Sequence, residues 1–155
     1  MATFSFKSSG KTAAITAETA TISQVRSPVG IKTPLQMSDK SIFAMHYDLA
    51  DQVHDNLKNL ILTNWGERVG LYYFGANLRE LTTEFSDLDA FDEAAINRIR
   101  TAVKTWMPFV TLKNFVSDVD KVNNLSTGII RITITYSVQQ LDVQDRALQV
   151  ALYVI

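Results

Sequence analysis

Apolar residues recur at helical spacing in two stretches of the chain. In the first, residues 48–63, they lie three and four positions apart, which places them on one face of a helix. That face comprises Leu49, Val53, Leu57, Leu60 and Ile61. Asp48 is a suitable N-cap, and the sequence Asn64-Trp65-Gly66 is typical of a helix end because Asn and Gly tolerate the left-handed conformation. We therefore predict a helix over residues 48–63 and a loop from Gly66 to about residue 76.

The second helix is longer and follows a short helical stretch at residues 78–85. Asp89 is suited to cap it, and Pro108 stops it near Trp106, since proline cannot continue a helix. Its inner face is predicted to comprise Phe91, Ala95, Ile99, Ala102, Val103 and Trp106.

The remainder of the chain alternates apolar and polar residues, as strands with one buried face do. We predict strands at residues 109–119, 128–138 and 147–155, with turns at residues 123–124 and along the polar stretch 139–146. The clearest alternation places one set of apolar residues on the buried face: Ile130, Ile132, Ile134, Tyr136 and Val138. These elements predict an α+β fold with two main helices packed on a small antiparallel or mixed sheet.

Residues 1–40 show neither pattern for long. They are rich in Ser, Thr and Ala, contain Pro28 and Pro34, and offer short strand-like alternations around Phe4, Phe6 and Ile15. Such a composition buries too little apolar surface to order itself without a partner. We predict an extended N-terminal arm ordered mainly by neighbours, ahead of a single domain at residues 41–155; a poorly ordered terminus is the alternative.

Composition narrows the classes of function. The 155 residues are 46% hydrophobic and 20% charged, which is typical of one folded domain. A net charge of −1, with Lys and Arg scattered, argues against binding nucleic acid or an anionic membrane. The chain has no cysteine for a disulfide or a thiolate metal site. Neither a basic and apolar leader nor a bilayer-length apolar run is present, so we expect a protein made and used in a cytoplasm.

No residue pattern predicts an active site. A glycosidase needs two carboxyl groups across a cleft, whereas Glu80 and Glu84 share one helical face and Glu67 has no evident second acid. Glu67 beside Arg68 instead predicts an ion pair that shapes the loop. Neither of the two histidines, His46 and His54, belongs to a nucleophile or metal-ligand pattern. We expect no catalytic residue, cofactor or metal.

Two motifs flank the predicted loop. Residues 62–68 read Leu-Thr-Asn-Trp-Gly-Glu-Arg, and residues 74–81 read Phe-Gly-Ala-Asn-Leu-Arg-Glu-Leu. They resemble the L-T-x-x-G-E-R and F-G-x-x-L-x-x-L signature of the baseplate wedge proteins of contractile phage tails. That family includes a related baseplate component of type VI secretion and members named baseplate lysozymes. The resemblance covers residues 41–138. Where the family has Glu-Pro-Arg after the long helix, this chain has Met107, Pro108 and Phe109, so an apolar contact replaces a charged anchor.

The resemblance implies a structural protein of the virion tail, assembled in the host cytoplasm, that joins the inner baseplate to the first sheath ring in several symmetric copies. Its implied partners are the tail sheath protein, baseplate wedge proteins, and tail tube or hub proteins. The expected docking residues are Gly66, Glu67, Arg68, Phe74, Gly75, Leu78, Met107, Pro108, Phe109, Leu148, Val150, Ala151, Leu152 and Tyr153. A peptidoglycan hydrolase and a soluble adaptor unrelated to phage are the alternatives.

Physical reasoning adds detail to these expectations. Gly66 and Gly75 are expected at positive φ, with Tyr72, Tyr73 and Phe74 packed beneath the loop. Residues 147–155 contain no charge, proline or glycine, although soluble monomers usually blunt exposed edges with such residues. We therefore predict that this strand and its partner, residues 128–138, present an edge on which a sheath strand adds. The alternative is an internal strand of the domain's own sheet.

Overall fold

The computed structural model describes residues 27–39, 42–83, 88–121 and 128–154. These residues form helices α1 (Leu49–Leu62), α2 (Leu78–Thr83) and α3 (Leu88–Trp106). Their strands are β1 (Gly30–Ile31), β2 (Met45–His46), β3 (Thr111–Lys121), β4 (Gly128–Val138) and β5 (Val143–Val154). The predicted α+β class, with two main helices on a small sheet, is confirmed. No helix in the described residues is long and apolar enough to cross a membrane.

The main sheet has the order β3-β4-β5, and both of its pairings are antiparallel. β4 is central: Ile132, for example, lies opposite Ser117 of β3 and Val150 of β5. Alternate residues of β4 face the helices and are at most 1% exposed: Ile130, Ile132, Ile134, Tyr136 and Val138. Burying each such side chain contributes roughly 1.5–3 kcal/mol, so this face of β4 is a major part of the hydrophobic core.

The helices pack on this face of the sheet through the apolar faces that the sequence predicts. On α1, Val53, Leu57, Leu60 and Ile61 are at most 6% exposed, and Asp48 caps the helix by accepting a hydrogen bond from the Ala50 amide at 3.1 Å. Leu49 was wrongly placed on this face, because at the first position of the helix it is 46% exposed. On α3 the predicted stripe is buried, apart from a half-buried Trp106. Asp89 is not the cap of α3, since the helix begins at Leu88.

Two strand boundaries differ from the prediction. β3 begins at Thr111 because Pro108 and Phe109 form a turn, closed by a 3.0 Å hydrogen bond from the Val110 amide to the Met107 carbonyl. β5 begins at Val143, so residues 143–146 are strand and not turn. The turn is confined to a 3₁₀ segment, Gln139–Leu141, followed by Asp142 in the left-handed conformation. α2 ends at Thr83; the predicted turn at residues 123–124 lies outside the described residues.

Part of the predicted arm is attached to α1. β1 pairs with β2 antiparallel, and the Thr33 amide donates a hydrogen bond of 2.9 Å to Oδ2 of Asp55. The same carboxylate oxygen lies 2.7 Å from Nε2 of His46. Burial raises the pKa of Asp55, but hydrogen bonds from His46 and Thr33 outweigh it and lower the pKa below its usual value. Residues 30–33 therefore contact the domain, whereas residues 34–39 are exposed; Phe4, Phe6 and Ile15 lie outside the described residues.

Candidate docking site

The loop between α1 and α2, residues 63–77, contains the first motif from Thr63 onward and the first half of the second, and we refer to it as the signature loop. At its start, the Thr63 amide and hydroxyl both donate to the Asn59 carbonyl, at 3.0 and 2.6 Å. At its end, the Ala76 amide donates to the Leu60 carbonyl at 3.2 Å and the Asn77 amide to the Thr63 carbonyl at 3.3 Å. Both ends of the loop are thus fastened to the last turn of α1, which gives the loop a fixed base.

Two glycines allow this course. Gly66 has a φ of +83°, and its amide closes the loop by donating to the Tyr72 carbonyl at 2.8 Å. Gly75 has a φ of +111°, and a Cβ at this position would lie 2.1 Å from the Thr63 carbonyl oxygen. The predicted positive φ of both glycines is confirmed. Only glycine combines this φ with so close an approach to the end of α1.

Asn64 organises the charged part of the loop. Its backbone amide and its side-chain Nδ2 donate to the two carboxylate oxygens of Glu67, each at 2.8 Å, and its Oδ1 accepts from the Arg79 amide at 3.1 Å. The hydrogen bonds from the Asn64 side chain and backbone hold the pKa of Glu67 below its usual value, and the charge of Arg79 acts in the same direction. The expected Glu67–Arg68 ion pair was wrong, because Glu67 binds Asn64 instead.

Arg68 stabilises the loop through an aromatic ring. Its guanidinium carbon lies 4.0 Å from the centroid of the Phe74 ring, a cation–π contact, and Phe74 packs on Trp106 of α3 with the ring centroids 5.1 Å apart. Phe74 is therefore the inward-facing aromatic residue of the loop. The expectation that Tyr72 and Tyr73 also pack beneath it was wrong, since they are 62% and 69% exposed.

The tip of the signature loop presents apolar side chains to solvent. Val69 is fully exposed, and Trp65, Leu71, Tyr72 and Tyr73 are between 42% and 69% exposed. Tyr73 contacts both Trp65 and Tyr72 edge-to-face, with centroids 5.7 and 5.0 Å apart, so the three rings form one cluster. A contiguous exposed apolar cluster on a fastened loop is typical of a surface that binds another protein.

A second set of contacts joins the loop to α3. Oε2 of Glu80 accepts from Arg98 and from Nδ2 of Asn77, each at 2.8 Å, and Arg98 also donates to the Asn77 carbonyl at 2.6 Å. The start of α2 is thereby held against the long helix. A groove of about 390 Å³ lies between the loop and α3, with Trp65, Tyr73 and Trp106 among its lining residues.

The second predicted docking surface is the last strand. Among the strands that the structure describes, β5 pairs with β4 on one side and lies at the edge of the sheet on the other. Ala147, Gln149, Ala151 and Tyr153 are exposed on its outer face, whereas Leu148 and Val150 point to the helices and are 2% exposed. We refer to residues 147–153 as the open edge. β4, by contrast, is central and presents no edge.

The fold brings the open edge next to the end of α1, the start of the signature loop and α2. A groove of about 290 Å³, which we call the edge groove, lies between them. It is lined on one side by Leu62 of α1, Asn64 of the loop, and Leu78 and Arg79 of α2, and on the other side by Ala151, Leu152 and Tyr153 of β5. The third predicted contact, the turn at residues 107–109, lines neither groove. Met107 is buried in the core at 7% exposure, while Pro108 and Phe109 are exposed.

Comparison with known proteins bears on this arrangement. No protein-family model matches the sequence, and no curated protein matches it significantly. A Geobacter sulfurreducens protein named "putative tail lysozyme" matches in structure with a TM-score of 0.58 at 20% identity, over 72% of this chain and 97% of its own. A chain of the 6-fold symmetrised anti-feeding prophage baseplate matches with a TM-score of 0.52 at 18% identity, over 79% of this chain and 81% of its own. The chain therefore shares its fold with a component of the anti-feeding prophage baseplate.

This baseplate fold confirms, at the level of architecture, the resemblance drawn from the two motifs. A chain of the postcontracted pyocin R2 baseplate has a TM-score of 0.42 at 15% identity, over 77% of this chain and 97% of its own. Because one fold supports many functions, the shared fold does not by itself assign a function to this chain.

Within the baseplate fold, Glu67 is not arranged as a glycosidase acid. A general acid needs a raised pKa in an apolar setting, whereas the pKa of Glu67 is lowered and the residue is exposed. Neither the edge groove nor the groove beside α3 has Asp or Glu among its lining residues. His46 pairs with Asp55, and Nδ1 of His54 lies 2.9 Å from the buried Tyr136 hydroxyl, so both histidines have packing roles. In the described part of the chain, no group of three or more His, Cys, Asp or Glu side chains is placed to bind a metal ion.

Residues that the sequence prediction missed include Asn64, Leu62 and Arg79. Asn64 had a readable signal, because an Asn followed three positions later by Glu resembles the reciprocal pattern of a capping box. Leu62 and Arg79 had none, since their importance comes from facing β5, which lies about 70 or more positions further along the chain.

Proposed function

We propose that the chain is a non-enzymatic structural component of the baseplate of a contractile injection machine, present in several symmetric copies. The observation that carries the proposal is the coincidence of two independent likenesses. Residues 62–68 and 74–81 resemble the two motifs of baseplate wedge proteins, and the chain has the fold of an anti-feeding prophage baseplate component. The proposed location is the tail baseplate of the particle, after assembly in the host cytoplasm.

The signature loop is suited to bind the inner baseplate. It is fastened to α1 through backbone hydrogen bonds and to α3 through Arg98, so its exposed apolar tip needs little ordering when a partner binds. Its proposed partners are the baseplate wedge proteins and, beyond them, tube or hub proteins. Phe109 and Pro108 offer a second exposed apolar contact for the same neighbours.

The open edge is suited to bind the tail sheath protein. Residues 147–153 carry no charge and no proline, and an added strand would gain main-chain hydrogen bonds without a deep pocket. In this proposal the chain starts sheath assembly by offering the first ring a strand partner on β5.

Sheath formation tests the proposal. In cells that produce particles, Ala151→Pro places a residue without a backbone N–H in the open edge, and Val116→Pro places one in the opposite edge strand, β3. Both proteins should be purified to confirm folding by circular dichroism. We expect particles with Ala151→Pro to have baseplates without full-length sheaths in electron micrographs, and particles with Val116→Pro to have normal sheaths. Normal sheaths on folded, incorporated Ala151→Pro protein would contradict the proposal.

The name of the Geobacter sulfurreducens protein makes peptidoglycan hydrolysis the second candidate. Turbidity of a cell-wall suspension separates the two candidates. We expect no clearing by the purified protein and no difference between it and Glu67→Gln. Clearing that Glu67→Gln abolishes would replace the structural proposal with an enzymatic one.

An adaptor unrelated to phage is the third candidate. It would be favoured by a gene that lies outside a run of tail genes, whereas the baseplate proposal expects sheath and tube genes nearby.

A further inference from the structure

The hydrophobic core is incomplete next to the open edge. Leu148, Val150 and Leu152 all point from β5 toward the helices, yet the first two are 2% exposed while Leu152 is only half-buried. Across the edge groove, Leu62 at the end of α1 is 41% exposed. Two leucines from distant parts of the chain thus face the same open space of about 290 Å³. Exposed aliphatic side chains on both sides favour an apolar occupant.

The position of the groove limits the form of that occupant. Ala151, Leu152 and Tyr153 line it and also belong to the open edge, so anything that pairs with this part of β5 passes directly beside it. A strand paired with β5 would direct alternate side chains to the same face as Leu152. One of those side chains would enter the edge groove.

We infer that the edge groove is a side-chain pocket that selects the partner strand. It takes one aliphatic residue of Val, Leu or Ile size, at the strand position beside Leu152. The β-branched members suit an extended strand best. The inference rests on the proposed addition of a strand to β5 and extends it by naming the side chain that the edge requires. The groove is also lined by the polar residues Asn64, Arg79 and Thr82, so the apolar space between Leu62 and Leu152 is its selective part.

Peptide binding tests the pocket. The probe is a fluorescein-labelled ten-residue peptide of alternating Val and Thr with Lys at both ends, and its variants each place Asp at one position. Binding to the purified full chain is measured by fluorescence anisotropy. We expect one Val position at which Asp lowers affinity by about tenfold or more, because burying a Val contributes enough free energy for such a factor. Asp at the neighbouring Thr positions should change affinity by less than about threefold.

A variant of the groove wall provides the matched test on the protein side. Leu62→Lys places a charge in the groove, and Leu49→Lys makes the same change at the other end of α1, where Leu49 is similarly exposed at 46%. We expect Leu62→Lys to weaken the parent peptide by about tenfold and to bind the Asp-containing peptide more tightly than the wild-type protein does. Leu49→Lys should behave as wild type. A merely destabilised fold would not reverse the preference for Asp.

The outcomes separate this inference from the proposal on which it rests. The pocket inference would be overturned if Asp were tolerated equally at every peptide position. It would also be overturned if Leu62→Lys and Leu49→Lys had equal effects. Neither result would contradict the proposed addition of a strand to β5. Failure of every peptide to bind would also overturn the pocket. Strand addition itself is decided separately, by sheath formation with the Ala151→Pro protein.

Discussion

β3 and β5 are the two edges of one sheet, yet charge is distributed along them differently. β3 carries Lys113, Asp118, Asp120 and Lys121, and its register with β4 shifts between Leu112 and Asn114. Charges and bulges of this kind discourage another chain from pairing with an edge. β5 has neither feature between Ala147 and Val154.

The first residues of β5 differ from the rest of the strand, because they carry charges and a register shift. Asp145 has a φ of +52° and forms a 2.6 Å salt bridge with Lys113, and Arg146 forms a 2.7 Å salt bridge with Asp51 of α1. The register with β4 also shifts between Tyr136 and Val138. The same strand is therefore blunted at its start and uncharged from Ala147 onward, next to the edge groove. This contrast is what the proposed addition of a sheath strand to residues 147–153 requires.

The largest predicted effect concerns the loop that borders the open edge. Gly75→Ala should lower the free energy of unfolding by about 3 kcal/mol or more, because its Cβ would collide with the Thr63 carbonyl and its φ is +111°. Gly70→Ala is the matched control: its φ is +81° but a Cβ there meets nothing within 4 Å, so the loss should be about 1 kcal/mol. Urea unfolding measures both. Equal losses would show that the loop does not depend on its contact with α1.

The next prediction concerns a charge that is introduced on the helix-facing side of the open edge to prevent strand pairing. Leu152→Lys should lower affinity for an added strand by about tenfold or more, and the chain should still fold because the Lys stem can reach solvent from this half-buried site. Val116→Lys, at an exposed position of the opposite edge strand β3, is the control and should change affinity by less than about twofold. Binding to purified sheath protein by isothermal titration calorimetry distinguishes the two variants. A larger loss for Val116→Lys would contradict the assignment of the binding edge to β5.

A third prediction concerns β3, whose charges should prevent another strand from pairing with it. Replacing Lys113 and Asp118 together by Val should promote self-association through β3, strengthening it by about 1 kcal/mol or roughly fivefold in the dissociation constant. Sedimentation equilibrium over a range of concentrations measures this change. If the double variant self-associates no more strongly than the wild type, these charges are not what prevents strand pairing at β3.

The smallest predicted effect concerns the start of β5. The hydrogen bond from Arg146 lowers the pKa of Asp51 below its ordinary value of 3.8. A lowered folded-state pKa stabilises the fold above the unfolded value, and this contribution is lost as the pH falls through the folded value. Because both side chains are at least one-third exposed, Asp51→Asn should cost only about 0.5 kcal/mol at pH 7. The difference between wild type and variant in urea unfolding should shrink as the pH falls below 3.8 and should vanish once the pH is below the folded-state pKa of Asp51. A difference that grows on acidification would contradict the assigned sign.

The sequence predicted what local patterns encode. The spacing of apolar residues identified α1 with its Asp48 cap, and strict alternation gave the bounds of β4 as they are observed. The start of β5 was missed because Gln144, Asp145 and Arg146 read as turn residues; on an edge strand such polar side chains find partners across the sheet or on α1. Local composition does not reveal those partners.

Tertiary geometry accounts for the rest of the candidate site. Sequence motifs located the signature loop and the last strand but not their proximity, since the edge groove joins residues near position 62, near position 79 and near position 152. Met107 illustrates the converse: its place in a family motif suggested a docking contact, while its side chain lies in the core. Its neighbour Phe109 is the exposed apolar residue of that turn.

Amide hydrogen exchange tests the central claim, that a partner strand adds to β5 and not to β3, most directly. Exchange is followed by mass spectrometry for the chain alone and with purified sheath protein encoded in the same tail gene cluster. Strand addition should slow exchange of the amides within residues 147–153 that do not already bond to β4 by about tenfold or more, because they gain hydrogen bonds, and should leave residues 113–118 of β3 unchanged. Protection of β3 instead, or unchanged exchange on β5 under conditions in which the two proteins bind, would contradict the account.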